Sequence, residues 1–326
     1  MMEKQIDWLL KSEEPWTRYR TLVDLLTVPE SEQEVISARQ EMLNHPHIIE
    51  LIEKAAAWPG YPLKRHNDAK HPLYAISTLA DFGVKAGDPG MRQVISRVLE
   101  HQSPEGMLET QVFIPKAFGG SDTADWSWML CDSPTLLYSL LAFNRSDSSD
   151  LEPALKHISS LVNDNGWRCI VSPGLGKFKG PGRREDPCPI ANVYALKVLS
   201  VSGDTSGESS RMGTDMLLHH WQLRRDKKYF LFGMGTDFAK LKYPFVWYDI
   251  LHVVDVLSRF PGVHSDPHFG EMVEVITKQA DVDALYTANS MYMAWKGWSF
   301  ADKKNPSPWI TFLVLRILKR LGGNLN

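Results

Sequence analysis

Apolar positions in this chain gather into six segments that are hydrophobic nearly all round, and each opens on a proline: Pro15, Pro72, Pro134, Pro189, Pro244 and Pro308. Seven residues after each proline stands a leucine: Leu22, Leu79, Leu141, Leu196, Leu251 and Leu315. Proline suits the first turn of a helix, where its missing N–H would have gone unpaired. Seven residues is two turns, so each leucine lies on its proline's face. Six such segments at near-constant spacing read as one supersecondary unit used repeatedly.

Between them lie more polar segments with charge on one side, predicted as helices over 32–43, 88–102, 150–162, 209–224 and 266–279. Several begin with Asp or Ser, good helix N-caps. The segment 2–11 reads as the outer partner of the last apolar helix. Links from apolar to polar helix are short (83–87, 145–149, 202–208, 260–265). Links onward to the next apolar helix are long (103–133, 163–188, 226–243, 280–307). All the long loops therefore emerge at one end, and loops of that length are usually functional. Strand signal is scarce. The pattern predicts an all-α, α/α-toroid fold of six helical hairpins, six inner and about six outer helices, in one domain over 1–326.

Composition changes this picture little. With 43% hydrophobic and 23% charged residues the chain is an ordinary globular protein. A net charge of -3 points away from nucleic acid. No apolar run approaches the ~20 residues of a membrane span. The opening segment is polar and acidic, unlike a signal peptide. Three cysteines do not make a disulfide framework, so a cytoplasmic location with reduced thiols is expected.

The turns Gln102-Ser-Pro-Glu-Gly106, Asn163-Asp-Asn-Gly166-Trp167 and Gln279-Ala-Asp-Val-Asp-Ala-Leu285 follow outer helices. With the repeat, they resemble the terpenoid cyclase and protein prenyltransferase β-subunit superfamily of α/α toroids, which carries degenerate Gln-x-x-x-Gly-x-Trp turns there. A second local match is Arg183-Arg-Glu-Asp186-Pro-Cys188-Pro189, with Leu196 eight residues after the cysteine. The resemblance to prenyltransferases implies that Asp186 and Cys188 ligate zinc and that Arg183 meets a diphosphate. Tyr243 stands where that family has a histidine. No Asp-Asp-x-x-Asp is present, and Asp281-Val-Asp-Ala284 lacks the last acid of the cyclase motif, so terpene cyclisation is not expected.

The residues of the long loops offer further chemistry. Cys131, Cys169 and Cys188 all fall on the predicted rim, and Cys131 matches Asp186 in the neighbouring repeat. Thiolates with a carboxylate are sensible zinc ligands, closed and structural with four donors, open and Lewis-acidic with three. The alternative is that these thiols are small buried apolar groups. The loops are also basic, at Lys64-Arg65-His66, Lys177, Lys179, Arg183-Arg184, Lys240 and Lys242, which suits an anionic headgroup. Nearby acids, including Asp125, Asp132 and Asp237, could instead balance a solvated surface. Aromatic residues crowd the same end: Trp128, Trp167, Tyr243, Trp247, Tyr248 and Trp298. They could line a ligand site or plug the hole in the ring. Asp249, one turn inside an apolar helix with His252 three residues on, reads as a buried Asp–His contact, either a general base or a structural pair.

Three function classes follow. The first is an enzyme-like protein binding an isoprenoid or similar amphiphilic, anionic ligand in the central cavity, with zinc assisting. The second is a carbohydrate-active α6/α6 barrel using paired carboxylates. The third is a non-catalytic ligand-binding or scaffold protein.

Overall fold

A computed structural model describes residues 2–145, 147–175, 178, 183, 185–229 and 232–323. The chain is mostly helical. Its α-helices are α1 (Met2–Leu10), α2 (Pro15–Arg20), α3 (Gln33–Leu43), α4 (Pro46–Ala56), α5 (Pro72–Phe82), α6 (Met91–Leu99), α7 (Ser133–Ala142), α8 (Glu152–Ser160), α9 (Pro189–Ser202), α10 (Glu208–Gln222), α11 (Ile250–Leu257), α12 (Pro267–Thr277) and α13 (Pro308–Arg320). Helix α2 runs on into a π-helical turn, Thr21–Leu25. Two small antiparallel hairpins complete the regular structure: β1 (Thr110–Phe113) with β2 (Ala124–Ser127), and β3 (Val162–Asn163) with β4 (Gly166–Trp167). Among the described residues no helix is long and apolar enough to cross a membrane.

Two helix classes follow from patterning. Every residue of α5 and of α11 is buried, so these helices are packed on all sides. In α6 the buried residues are Met91, Val94, Ile95 and Val98, a single stripe at helical spacing. Helix α5 packs on α7, α7 on α9, α9 on α11, α11 on α13, α13 on α2, and α2 on α5. Around them α3 packs on α2, α10 on α9, α12 on α11, and α1 on both α13 and α2.

Five of the six prolines sit in the first turn of a buried helix. Pro244 does not. Residues 241–249 are non-helical, and α11 begins only at Ile250. Here the chain is used as filling. The Tyr243 hydroxyl donates to Asp81 at 3.0 Å, and the Tyr194 hydroxyl donates to the Val246 carbonyl at 3.1 Å. Segment 243–248 thereby lies among α5 and α9, with Tyr243, Phe245 and Val246 buried. A helix from Pro244 would withdraw these groups from the space they fill.

Helix α4 lies outside the proline–leucine repeat. Its Pro46 has Glu53, not leucine, seven residues on, and its cap is His45, whose Nδ1 accepts from the His47 N–H at 3.2 Å. The three turns singled out in the sequence do form tight reversals, each with one residue in the left-handed region: Gly106, Gly166 and Ala284. At Gly166 a Cβ would lie 2.4 Å from the Asn192 Oδ1. That amide in turn accepts from the Trp167 N–H and donates to the Trp167 and Cys188 carbonyls, tying the turn to α9.

Toward the C-terminal ends of the buried helices the interior is charged. Lys197 meets Asp81 at 3.1 Å, and the Tyr138 hydroxyl donates to the same carboxylate at 2.7 Å. Asp255 accepts from Arg259 at 2.8 Å, Arg316 at 2.9 Å and Arg320 at 3.0 Å. Burial pushes both carboxyls up, but the surrounding cations outweigh it, and both stay below the usual carboxylate range.

Candidate metal centre

Cys131 and Asp132 lie at the entry to α7, because the chain turns there to start the helix at Ser133. The long segment between α4 and α5 brings His66 back over this entry. Its backbone is held by the Tyr74 hydroxyl, which donates to the His66 carbonyl. The His66 Nδ1 lies 3.0 Å and 3.2 Å from the two Asp132 oxygens, and the Cys131 Sγ lies 3.4 Å from Nδ1 and 3.5 Å from Nε2. One ligand atom from each of the three residues falls within 4.8 Å of the others.

The surroundings set the protonation of this trio. Asp132 is 1% exposed, whereas His66 keeps 32% of its side chain open, so the cluster is recessed but reachable. Burial lowers the His66 pKa, but Asp132 more than reverses it, and the imidazole holds its proton above the usual range. The Cys131 thiol is pushed well up, by burial first and then by Asp132, Cys169 and Cys188. Without a cation the sulfur is therefore a poor thiolate. A dication reverses that logic, since it stabilises the thiolate and releases the imidazole proton.

The donor set fits zinc. Sulfur, imidazole nitrogen and carboxylate oxygen are its usual ligands, and Zn–N and Zn–S lengths of ~2.0–2.3 Å place tetrahedral donors about 3.3–3.8 Å apart. The observed His66–Cys131 separations already lie in that interval. An ion held by these three donors would keep one coordination position open.

Of the sequence-expected ligands, this cluster takes Cys131 alone. Asp186 is instead paired with Lys227 at 3.3 Å. Cys188 is buried, its thiol pushed up to about 12 by burial and then by Cys169. Among the described residues neither Asp186, Cys169 nor Cys188 belongs to a group able to share an ion. His66 and Asp132 were visible in the sequence only as one of several basic and acidic loop residues. The signal that singles them out is the adjacent Cys131-Asp132 pair at a proline-led helix start, the position that carries Asp186 and Cys188 in the next repeat.

The Asp249–His252 side-chain pair is not formed. Asp249 is the N-cap of α11, and its Oδ1 accepts from the His252 backbone N–H at 3.0 Å. The imidazole bonds through Nδ1 to the Trp247 carbonyl at 3.1 Å. Burial raises the Asp249 carboxyl to about 7 and lowers His252 to about 3. Both side chains are wholly enclosed.

The expected ligand-binding residues divide. Trp167 is fully buried, its indole N–H donating to the Ile158 carbonyl at 2.7 Å, and Trp128 is buried edge-on to His157. Tyr248 is buried with its hydroxyl 2.9 Å from the His220 Nδ1, and Tyr243 is held by Asp81. These four are packed inside the protein. Lys242 is buried, 3.6 Å from Asp237. Arg183 is exposed, and Trp247 and Trp298 are half-buried. Lys177, Lys179 and Arg184 lie outside the described residues.

No protein-family model matches the chain, and no curated protein matches it. Among solved structures, the crystal structure of a protein from Actinoplanes aligns over 98% of each chain at 12% identity and a TM-score of 0.46.

Proposed function

We propose that the chain is an α/α toroid with a zinc centre at His66, Cys131 and Asp132, and that it works there as a metal-assisted transferase or hydrolase on a small anionic ligand. The observation that carries this reading is the convergence of three different donor types, with one face of His66 open. The order of helix packing supports the toroid, because α2, α5, α7, α9, α11 and α13 each meet the next and α13 meets α2. The architecture is then that of the terpenoid cyclases and prenyltransferase β-subunits that the sequence resembles.

Zinc bound there supplies a Lewis acid to a ligand oxygen or stabilises the Cys131 thiolate. The protein's own groups do the rest. Asp132, 3.0 Å from the His66 Nδ1, orients the imidazole, and its negative charge helps to balance the cation that the three donors would share. Lys64 and Arg65, exposed beside His66, attract an anion. Because segment 243–248 fills the space among the inner helices, the body of the ligand rests at the mouth. A prenyl diphosphate with a thiol acceptor is the first substrate pair to test, followed by simple phosphate esters. Turnover that is abolished by chelation and by Cys131→Ser supports the proposal. Turnover indifferent to both excludes the centre from the chemistry.

A further inference from the structure

A second opening lies apart from the His66 centre, where α1 ends and α2, α4 and α13 begin. It is a cleft of about 730 Å³ lined by Trp8, Trp16, Glu14, His47, Trp298 and Asp302, among others. That volume falls in the ~300–1,000 Å³ range of small-molecule sites.

Its lining has a specific character. Trp298 is half-exposed and fixed by other rings: the His47 imidazole at 4.6 Å, Trp16 at 5.1 Å and Phe300 at 5.3 Å between centroids. Trp8 supplies a second half-open indole. Glu14 is oriented by the Thr17 hydroxyl, which donates to it at 2.8 Å. Burial raises this carboxyl above the usual range, although Ser299 and Thr17 partly offset the rise. The rim mixes signs, with Glu13 and Asp302 against Lys11 and Lys296.

Each ligand class can be weighed on that lining. Three carboxylates repel an anion. Two ammonium groups on the same rim oppose an organic cation, which would otherwise suit an indole cage. A purely apolar ligand would lay a surface with no donor against the Glu14 carboxyl that Thr17 and Ser299 hold in the cleft. A neutral polyhydroxylated ring satisfies all of it, since its C–H faces stack on indole while its hydroxyls donate to carboxylates and accept from lysines.

We propose that this cleft binds a neutral pyranose, as part of a short oligosaccharide, with Trp298 as its platform and Glu14 and Asp302 as hydroxyl acceptors. The site is independent of the metal centre.

The test is a titration of the full chain, followed by tryptophan fluorescence and by ligand NMR, with cello-, malto- and xylo-oligosaccharides of two to four units. Tetramethylammonium and inorganic phosphate serve as the contrasting probes. At least one oligosaccharide series should bind at millimolar concentration or better, and neither contrasting probe should. Trp298→Ala should weaken binding about tenfold or more, a loss of ~1.4 kcal/mol. Asp302→Ala, at a half-buried rim position whose carboxylate also accepts from the Lys304 N–H and the Asn305 amide, should weaken it several-fold even if the tryptophan variant folds poorly. Cys131→Ser should leave it unchanged, which separates this site from the metal centre. The proposal is overturned if no oligosaccharide binds at millimolar concentration, if tetramethylammonium or phosphate binds in its place, or if binding survives Asp302→Ala intact.

Discussion

The Tyr243 hydroxyl donates to the Asp81 carboxylate at 3.0 Å, joining residues 162 positions apart among the buried helices. It anchors the non-helical segment 243–248 against α5. Removing the hydroxyl alone, in Tyr243→Phe, should cost about 1.5–3 kcal/mol, the range for a hydrogen bond to a charged group. Tyr243→Ala also leaves a cavity and should cost ~3–5 kcal/mol. Urea unfolding measures both. Equal costs for the two variants would mean the ring contributes no packing there.

Asp255 is wholly buried and accepts from three arginines, so its loss leaves buried positive charge uncompensated. Asp255→Asn should destabilise by about 3–5 kcal/mol. The exposed Lys156–Glu152 pair provides the contrast, and Lys156→Ala should change stability by no more than ~0.5 kcal/mol. Denaturant midpoints of the two variants give the comparison directly. A cost for Asp255→Asn as small as that of the surface pair would show that the arginines find other partners or water.

Asp249 gives a pH signature. Its carboxyl titrates near 7 in the fold and near 3.8 when exposed. The folded state therefore holds a proton that the unfolded chain releases. This contribution is fully present below about pH 4 and is lost as pH rises toward 7, at up to ~1.4 kcal/mol per pH unit. Asn keeps the cap but cannot titrate. The stability of wild type relative to Asp249→Asn should accordingly fall between pH 4 and 7 and then level off. A difference that is flat across that window would show that Asp249 is ionised throughout.

Gly213 of α10 lies against Trp167, where a Cβ would come 2.5 Å from the indole Cζ3 and 3.0 Å from Leu196. The indole is pinned by its bond to Ile158 and cannot yield freely. Gly213→Ala should thus destabilise by about 1–3 kcal/mol, despite the ~1 kcal/mol that alanine gains in helix propensity. Thermal unfolding reads the sign. Stabilisation would mean that the Trp167 packing relaxes.

Much of the helical order is legible in the sequence, because proline at a first turn and all-round apolarity are local properties. Five of the leucines set seven residues beyond a proline are buried, and Leu141 is half-buried. Pro244 misleads because Tyr243 and Phe245 satisfy long-range needs that outweigh the local start signal. Helix α4 escapes because Pro46 has Glu53 in place of the leucine seven residues on, although its imidazole cap is the same as that of α5. The site is only half legible. Cys131 stands out as a rare residue at a helix start, but its contact with His66 spans 65 positions and depends on how the 57–71 segment folds back. No spacing rule encodes that. Asp186 carries a motif resemblance, yet Lys227 from a distant loop claims it.

Zinc stoichiometry decides whether His66, Cys131 and Asp132 hold a metal. Protein purified without a histidine tag should carry about one zinc per chain by elemental mass spectrometry. His66→Ala, Cys131→Ser and Asp132→Asn should each lower affinity by 10-fold or more, as ligand or supporting-group losses typically do, while Cys188→Ser should keep its metal. Metal-free wild-type protein that takes up no added zinc, or metal retained by all three variants and lost with Cys188, would contradict the assignment.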